Sequence, residues 1–145
     1  MNKKIHILVA DDDEAMRRIM GGRLVKRGFE VFYATDGNEA REMARRMRPD
    51  LILLDYRMPV MDGFKVASYL KKEEPTKEIP IILLTNEDLP VEAVKYFKDL
   101  GVDEYIHKSA DFEVFIELIK KIMKAHGHNI DTLVLPPKSQ SVAPE

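Results

Sequence analysis

Five polar side chains stand at or just beyond the ends of short apolar runs, and they are the residues of this sequence best placed for chemistry. They are Asp11, Asp12, Asp55, Thr85 and Lys108. If the three carboxylates lie together, they repel one another and have raised pKa values unless a cation lies among them. The cation that suits a few carboxylates, with water completing its shell, is Mg²⁺. A carboxylate, Mg²⁺, a hydroxyl and an ammonium group together suit in-line phosphoryl transfer to that carboxylate.

The apolar runs alternate with segments of helical periodicity, so the sequence predicts five strand–helix pairs. The predicted strands span residues 5–10, 29–34, 50–55, 81–84 and 105–107, and the predicted helices span residues 13–27, 38–47, 62–73, 90–100 and 111–125. Strict alternation predicts a parallel sheet with helices on both faces and right-handed crossovers. Because the carboxyl ends of parallel strands meet at one edge of a sheet, the five polar side chains should converge there.

The run Leu51–Leu54 makes Asp55 the central candidate. Four large aliphatic residues in a row are typical of a strand that is buried on both faces. Met58-Pro59 then forces a turn, and Asp62-Gly63 marks the start of the next helix. Taken alone, Asp55 could be a strand-end carboxylate that faces water, but convergence with the other polar side chains favours a functional role.

Helical spacing also predicts which side chains face the core. On the first helix the apolar positions include Ile19 and Leu24, and on the fourth they are Val91, Val94 and Phe97. Acidic residues favour helix amino termini, so the run 11–14 could simply cap the first helix. We expect that role for Asp13 alone.

Composition limits the class of protein. The chain has 145 residues and a net charge of −2, which predicts one domain with no affinity for nucleic acid or anionic membranes. It has no cysteine, which excludes disulfides and thiolate sites and fits a cytoplasmic location. It also has no apolar run long enough to be a signal peptide or to span a membrane. We expect one folded domain over residues 1–126 and a mobile tail over 127–145, in which Leu133–Leu135 could dock.

Four sequence segments resemble the response-regulator receiver domain of two-component signalling, and the resemblance covers about residues 4–125. The segments are Ile7–Asp13, Leu51–Gly63 with its Asp-x-x-Met-Pro-x-x-Asp-Gly core, Ile81–Thr85 and Asp103–Lys108. The resemblance implies a flavodoxin-like (βα)5 fold, a doubly wound parallel sheet with strand order 2-1-3-4-5. It is greatest with the stand-alone receivers of the chemotaxis type.

The resemblance also implies a metal-dependent phosphorylation site. Asp55 matches the residue that accepts the phosphoryl group. Asp12 matches the main carboxylate ligand of Mg²⁺, with Asp11 as its partner. The backbone carbonyl of Arg57 matches the third protein ligand of the metal.

Three more matching positions bear on phosphoryl binding and switching. Thr85 and Lys108 match residues that bind phosphoryl oxygens, and Tyr105 matches an aromatic switch position. Each has a simpler reading, respectively a β-branched strand residue, a solvated lysine and an edge-strand aromatic. Ser109 stands where the family usually has proline after a cis bond, and such a bond before serine costs roughly 3 kcal/mol. The alternatives are therefore a strained cis bond and a rearranged loop.

Arg57 and Glu87 match the variable positions that tune dephosphorylation in this family. Their long, oppositely charged side chains should form an ion pair across the phosphorylation site. Such a pair predicts a lid that slows attack by water and gives a long-lived phosphorylated state. The competing interpretation is that Glu87 faces solvent and helps a water molecule to attack.

Three classes of function could use these residues. The first is a switch phosphorylated by a sensor histidine kinase or phosphotransfer protein, with its output through a downstream protein on the surface of the fourth helix, fifth strand and fifth helix. The second is a scaffold that works without phosphorylation, and the third is an enzyme of similar architecture. A dehalogenase-type phosphatase needs an aspartate where Arg57 stands, and the acidic run 11–14 would repel a flavin phosphate. The sequence favours the switch over an enzyme. The switch is either the complete protein or the amino-terminal receiver of a longer regulator.

Overall fold

The computed structural model, which describes residues 4–128 and 130, contains five strands that alternate with five helices. In chain order they are β1 (His6–Ala10), α1 (Glu14–Lys26), β2 (Glu30–Ala34), α2 (Gly37–Met47), β3 (Leu51–Asp55), α3 (Gly63–Lys72), β4 (Ile81–Thr85), α4 (Val91–Leu100), β5 (Glu104–His107) and α5 (Phe112–Ala125). Each boundary lies within one residue of its prediction. The agreement follows from the apolar runs of the strands and from the capping residues and glycines that bound the helices.

The five strands form one parallel sheet in the order β2-β1-β3-β4-β5, as predicted for a flavodoxin-like fold. Strand β3 lies at the centre, and all five of its residues are buried. Its neighbours are β1, where Ile7 pairs with Leu51, and β4, where Leu84 pairs with Asp55. This register brings the carboxyl ends of β1, β3 and β4 to the same edge of the sheet.

Helices cover both faces of the sheet, and alternate strand residues feed two separate cores. Helices α2, α3 and α4 pack on one face through side chains such as Ala44, Leu70 and Phe97. Helices α1 and α5 pack on the other face through Leu24 and Ile119. The two cores fix the strands from both sides, so the loops at the carboxyl edge stand on a rigid base.

Two residues predicted to face the core instead face solvent. Ile19 is 50% exposed, because α1 contacts the sheet through Gly21 and Leu24. Residues two positions apart on a helix point about 200° away from each other, so Ile19 lies on the face opposite Gly21. The close contact is with Tyr33, whose ring occupies the space that a Cβ on Gly21 would need. Val91 begins α4 and is 81% exposed, whereas Phe97 carries the packing of that helix.

The chain beyond α5 turns back toward the core. Gly127 adopts a left-handed conformation with φ 91°, and Ile130 is 2% exposed in the same core cluster as Ile5 and Leu51. We therefore propose that the domain extends past the predicted boundary at residue 126. Most of the predicted tail, including Leu133–Leu135, lies outside the described residues. Within the described part, no helix is long and apolar enough to cross a membrane.

Candidate functional site

Three carboxylates meet at the carboxyl edge of the sheet. Asp11 and Asp12 follow β1, and Asp55 ends the neighbouring strand β3. One oxygen from each of the three side chains lies within 4.8 Å of the other two. Asp11 and Asp55 are buried, whereas Asp12 is exposed. They border a cleft of about 360 Å³ that is also lined by Asp13, Arg57, Thr85, Asn86, Glu87 and Lys108.

Lys108 joins this group from the end of β5. Its Nζ lies 2.9 Å from Asp11 Oδ2 and 3.2 Å from Asp55 Oδ1, and its side chain is 8% exposed. No peptide bond among the described residues is cis, so the Lys108–Ser109 bond is trans. Of the two alternatives for this loop, the strained cis bond is therefore wrong. The loop still directs the ammonium group at both carboxylates.

Burial and neighbouring charges have opposing effects on the pKa values of Asp55 and Lys108. Burial, reinforced by the charge of Asp11, raises the pKa of Asp55 to about 6, although Lys108 and the backbone N–H of Arg57 oppose the change. Burial acts to lower the pKa of Lys108, but its contacts with Asp11 and Asp55 outweigh burial and raise it. A divalent cation among these carboxylates would favour the ionised form of Asp55.

The donor set fits Mg²⁺. Carboxylate oxygens are the hard ligands that this ion prefers, and the three carboxylates leave room for water in its shell. Asp13 is engaged elsewhere, because its Oδ1 accepts hydrogen bonds from the backbone N–H groups of Ala15 at 2.9 Å and Met16 at 3.3 Å. The expectation that Asp13 begins α1 is confirmed.

Arg57 and Glu87 form the predicted ion pair beside the cleft. Arg57 Nη2 lies 3.1 Å from Glu87 Oε1, and Arg57 Nε contacts the other carboxylate oxygen. The pairing raises the pKa of Arg57 and lowers that of Glu87 through the same hydrogen bond. Since both side chains line the cleft, the pair lies beside the approach to Asp55.

The hydroxyl of Thr85 is turned toward the loop that follows β4. Its Oγ1 accepts a hydrogen bond of 2.9 Å from the backbone N–H of Glu87. Tyr105 lies on the neighbouring strand opposite Leu83 and packs, partly buried, against the core beneath α2, α3 and α4. Thus Glu87 contacts Thr85 through its backbone and Arg57 through its side chain.

The loop between β3 and α3 is fitted closely to Asp55. A Cβ on Gly63 would come within 2.5 Å of the Asp55 carbonyl oxygen and 2.9 Å of Tyr56 Cα. Asp62 begins α3 by accepting a hydrogen bond of 2.9 Å from the N–H of Lys65. The Asp-Gly pair therefore starts the helix and also allows close backbone contact with the site.

Sequence reasoning missed two side chains at this edge. Arg17 Nη1 donates a hydrogen bond of 2.8 Å to the backbone carbonyl of Asp11, and no motif in the sequence marked it. His107 ends the predicted fifth strand, and its ring contacts the loops that follow β4 and β5. The available signal was the serine two residues later, within hydrogen-bonding reach of the imidazole.

Comparison with known proteins identifies the family. Residues 7–120 match the response regulator receiver domain, and the chain belongs to this family. It is 33% identical over 118 residues to the DNA-binding dual master transcriptional regulator RpaA of Synechocystis sp., covering 81% of this chain and 48% of that protein. The chain spans about half the length of the curated relatives it matches.

Solved structures support the same fold. The chemotaxis protein CheY4 of Vibrio cholerae has a TM-score of 0.77 at 30% identity, covering 83% of this chain and 99% of that one. The receiver domain of the Pseudomonas aeruginosa sensor histidine kinase PA1611 has a TM-score of 0.76 at 25% identity, covering 84% and 99%. That structure has a magnesium ion coordinated in its active site cleft.

Membership of the family fixes the class of function. Receiver domains belong to two-component systems, act as signalling switches, interact with histidine kinases or phosphotransfer proteins and bind Mg²⁺ in the active site. The Synechocystis relative is named as a DNA-binding regulator, and the match covers 48% of its length. The absence of a nucleic-acid partner therefore stays a prediction.

Proposed function

We propose that this protein is a phosphorylatable switch of the cytoplasm that takes a phosphoryl group onto Asp55 in a Mg²⁺-dependent reaction. The donor is a phosphohistidine on a sensor histidine kinase or phosphotransfer protein. The observation that carries the proposal is the position of the Asp55 carboxylate. It lies beside Asp11 and Asp12 and 3.2 Å from the ammonium group of Lys108.

The ionised carboxylate of Asp55 is the nucleophile. One of its oxygens attacks the phosphorus atom, the new P–O bond forms as the P–N bond to the imidazole breaks, and the electron pair of that bond returns to the imidazole nitrogen. Lys108 neutralises charge on the phosphoryl oxygens from within the cleft. Asp11, Asp12, Asp55 and the Arg57 carbonyl would hold Mg²⁺, which supplies further neutralisation of that charge.

Phosphorylation is proposed to redirect the hydroxyl of Thr85. A phosphoryl oxygen on Asp55 accepts a hydrogen bond from this hydroxyl in place of the Glu87 carbonyl oxygen, which lies 3.5 Å away, and draws the hydroxyl inward. The space it leaves can be filled by Tyr105, which changes the surface of α4, β5 and α5 that a downstream protein would bind. Amide NMR shifts across residues 86–107 on phosphorylation would support this route, and shifts confined to the loops at Asp12 and Asp55 would contradict it.

The deciding experiment is incubation with Mg²⁺ and acetyl phosphate, followed by intact mass measurement. The wild-type protein should gain the mass of one phosphoryl group, and Asp55→Asn should gain none. Asp13→Asn is the matched control, because Asp13 caps α1 and should leave phosphorylation unchanged. If the wild type gains no mass, the scaffold that works without phosphorylation is the better function.

The metal ligands can be tested separately by Mg²⁺ titration. Asp12→Asn should weaken Mg²⁺ binding on the order of tenfold or more, whereas Asp13→Asn should not. Equal losses in the two variants would show that the wrong aspartate has been assigned to the metal.

A further inference from the structure

His107 connects the two loops that carry Thr85 and Lys108. Its Nε2 lies 3.0 Å from the backbone carbonyl oxygen of Asn86, in the loop after β4. Its Nδ1 lies 2.8 Å from the hydroxyl oxygen and 3.2 Å from the backbone nitrogen of Ser109, in the loop after β5. One imidazole ring therefore bridges the loops on either side of the cleft.

The partners of this ring define its protonation. A backbone carbonyl only accepts hydrogen bonds, so Nε2 carries the hydrogen that reaches Asn86. A backbone N–H only donates, so Nδ1 is unprotonated and accepts from Ser109. The bridge is satisfied by the neutral imidazole with its hydrogen on Nε2, and both nitrogens are used.

The bridge lies just beyond the last backbone hydrogen bond between β4 and the residue after β5. His107 pairs with Thr85 across β4 and β5, and the next residue, Lys108, donates its backbone N–H to the Thr85 carbonyl at 2.8 Å. Beyond this bond the strands end, and both loops leave the sheet. The imidazole adds a second connection one residue further out on each side, so it restrains the backbone on both sides of Lys108.

We propose that His107 is a positioning residue that fixes the loops of Thr85 and Lys108 relative to each other, and so aims the ammonium group of Lys108 at Asp55. This inference rests on the proposed function, since the geometry that it protects is that of phosphoryl transfer. Its contribution to stability is small because the ring is partly exposed and its bonds lie at the surface.

The first test compares rates of phosphorylation by acetyl phosphate at saturating Mg²⁺. His107→Ala removes both halves of the bridge and should slow phosphorylation on the order of tenfold, with the free energy of unfolding nearly unchanged. His107→Gln keeps a donor for the Asn86 carbonyl and should recover part of the rate. His126→Ala is the matched control, because His126 pairs with Asp103 in the loop before β5, at the opposite edge of the sheet, and should leave the rate unchanged.

The second test is spectroscopic. Long-range proton–nitrogen NMR correlations of His107 in the wild-type protein should show the hydrogen on Nε2 and an acceptor-type Nδ1. A hydrogen on Nδ1, or a His107→Ala rate equal to that of the wild type, would overturn the proposal. A wild-type protein that takes no phosphoryl group would instead refute the proposed function, so the two failures are distinguishable.

Discussion

The Asp55 side chain combines two demands that oppose each other. As the proposed nucleophile it must be ionised, yet it lies buried beside the charge of Asp11, and this raises its pKa to about 6. Lys108 and the Arg57 N–H offset only part of this effect. If Asp55 has the proposed role, its raised pKa marks a position where stability has been lost in favour of function.

This conflict predicts that Asp55→Asn stabilises the protein at neutral pH. Between about pH 4 and pH 6 the folded state keeps a proton that the unfolded state has lost, so the free energy of unfolding falls as pH rises through this window. A difference of about two between the pKa values of Asp55 in the folded and unfolded states corresponds to roughly 3 kcal/mol in the free energy of unfolding. We expect Asp55→Asn to raise the free energy of unfolding by about 1–3 kcal/mol at pH 7.5 without Mg²⁺, with little gain at pH 4.

Urea unfolding of both proteins at the two pH values measures this difference. Asp13→Asn serves as the control, since Asp13 is exposed and asparagine caps helices equally well. A gain of the same size at pH 4 and pH 7.5 would mean that ionisation of Asp55 is not its cause.

The Arg57–Glu87 pair predicts slow loss of the phosphoryl group. Because these side chains pair with each other beside the cleft, they should exclude the water that attacks the acyl phosphate. Arg57→Ala and Glu87→Ala should each shorten the phosphoryl half-life, roughly 3- to 10-fold. The half-life can be followed by intact mass after removal of acetyl phosphate.

Another exposed ion pair provides the control for the lid. Glu14 and Arg18 form an i,i+4 pair on α1, so Arg18→Ala should leave the half-life unchanged. If Glu87→Ala instead lengthened the half-life, Glu87 would be helping a water molecule to attack, and the lid would be ruled out.

At the scale of elements, the loop from β3 to α3 is matched to the site through backbone contact. Val60 within it has a φ of 72°, a left-handed conformation that a β-branched residue rarely adopts. Gly63 lies against the Asp55 carbonyl, where a side chain would displace the backbone of Asp55. The position of Asp55 therefore depends on the start of the following helix.

This contact predicts a double effect of Gly63→Ala. The added methyl group should lower the free energy of unfolding by about 1–3 kcal/mol and slow phosphorylation of Asp55, since the backbone atoms it displaces are those of Asp55 and Tyr56. Urea unfolding and the acetyl phosphate assay measure the two effects.

Gly22→Ala is the matched control for Gly63→Ala. Apart from its chain neighbours and the backbone of α1, nothing lies within 4 Å of a Cβ built at Gly22, so alanine should stabilise the protein by about 0.5–1 kcal/mol and leave the rate unchanged. A Gly63→Ala protein with wild-type stability would show that the loop can shift without cost.

At the scale of the whole molecule, the two cores stabilise the fold, and the carboxyl edge of the sheet carries the candidate site. The cores hold the strands, while the strand ends and loops at the carboxyl edge carry every group proposed for phosphoryl transfer. Ile130 extends the core on the α1–α5 face beyond the last helix. The chain beyond α5 therefore adds at least one buried side chain, Ile130, to this core.

We expect Ile130→Ala to lower the free energy of unfolding by about 2–4 kcal/mol, because it removes a fully packed side chain. Ile19→Ala, at a position that is 50% exposed, is the control and should change stability by less than about 1 kcal/mol. Urea unfolding compares the two. Equal effects would restore the domain boundary predicted at residue 126.

The sequence by itself determined the architecture and the meeting of Asp11, Asp12, Asp55, Thr85 and Lys108. Apolar periodicity is a local property of each segment, and parallel strands bring their carboxyl ends to one edge whatever the details of packing. For the same reason the match to the receiver family could be made from short segments at the strand ends. The proposed roles of these residues depend on that placement and await the experiments described.

Only the tertiary structure decided where individual side chains point. The bridge made by His107, the outward position of Ile19 and the burial of Ile130 all depend on segments far apart in the chain. Each arises from contacts such as that of Gly21 with Tyr33 or of His107 with Asn86. Such contacts are set by rotamers and close packing between elements, which local periodicity does not encode.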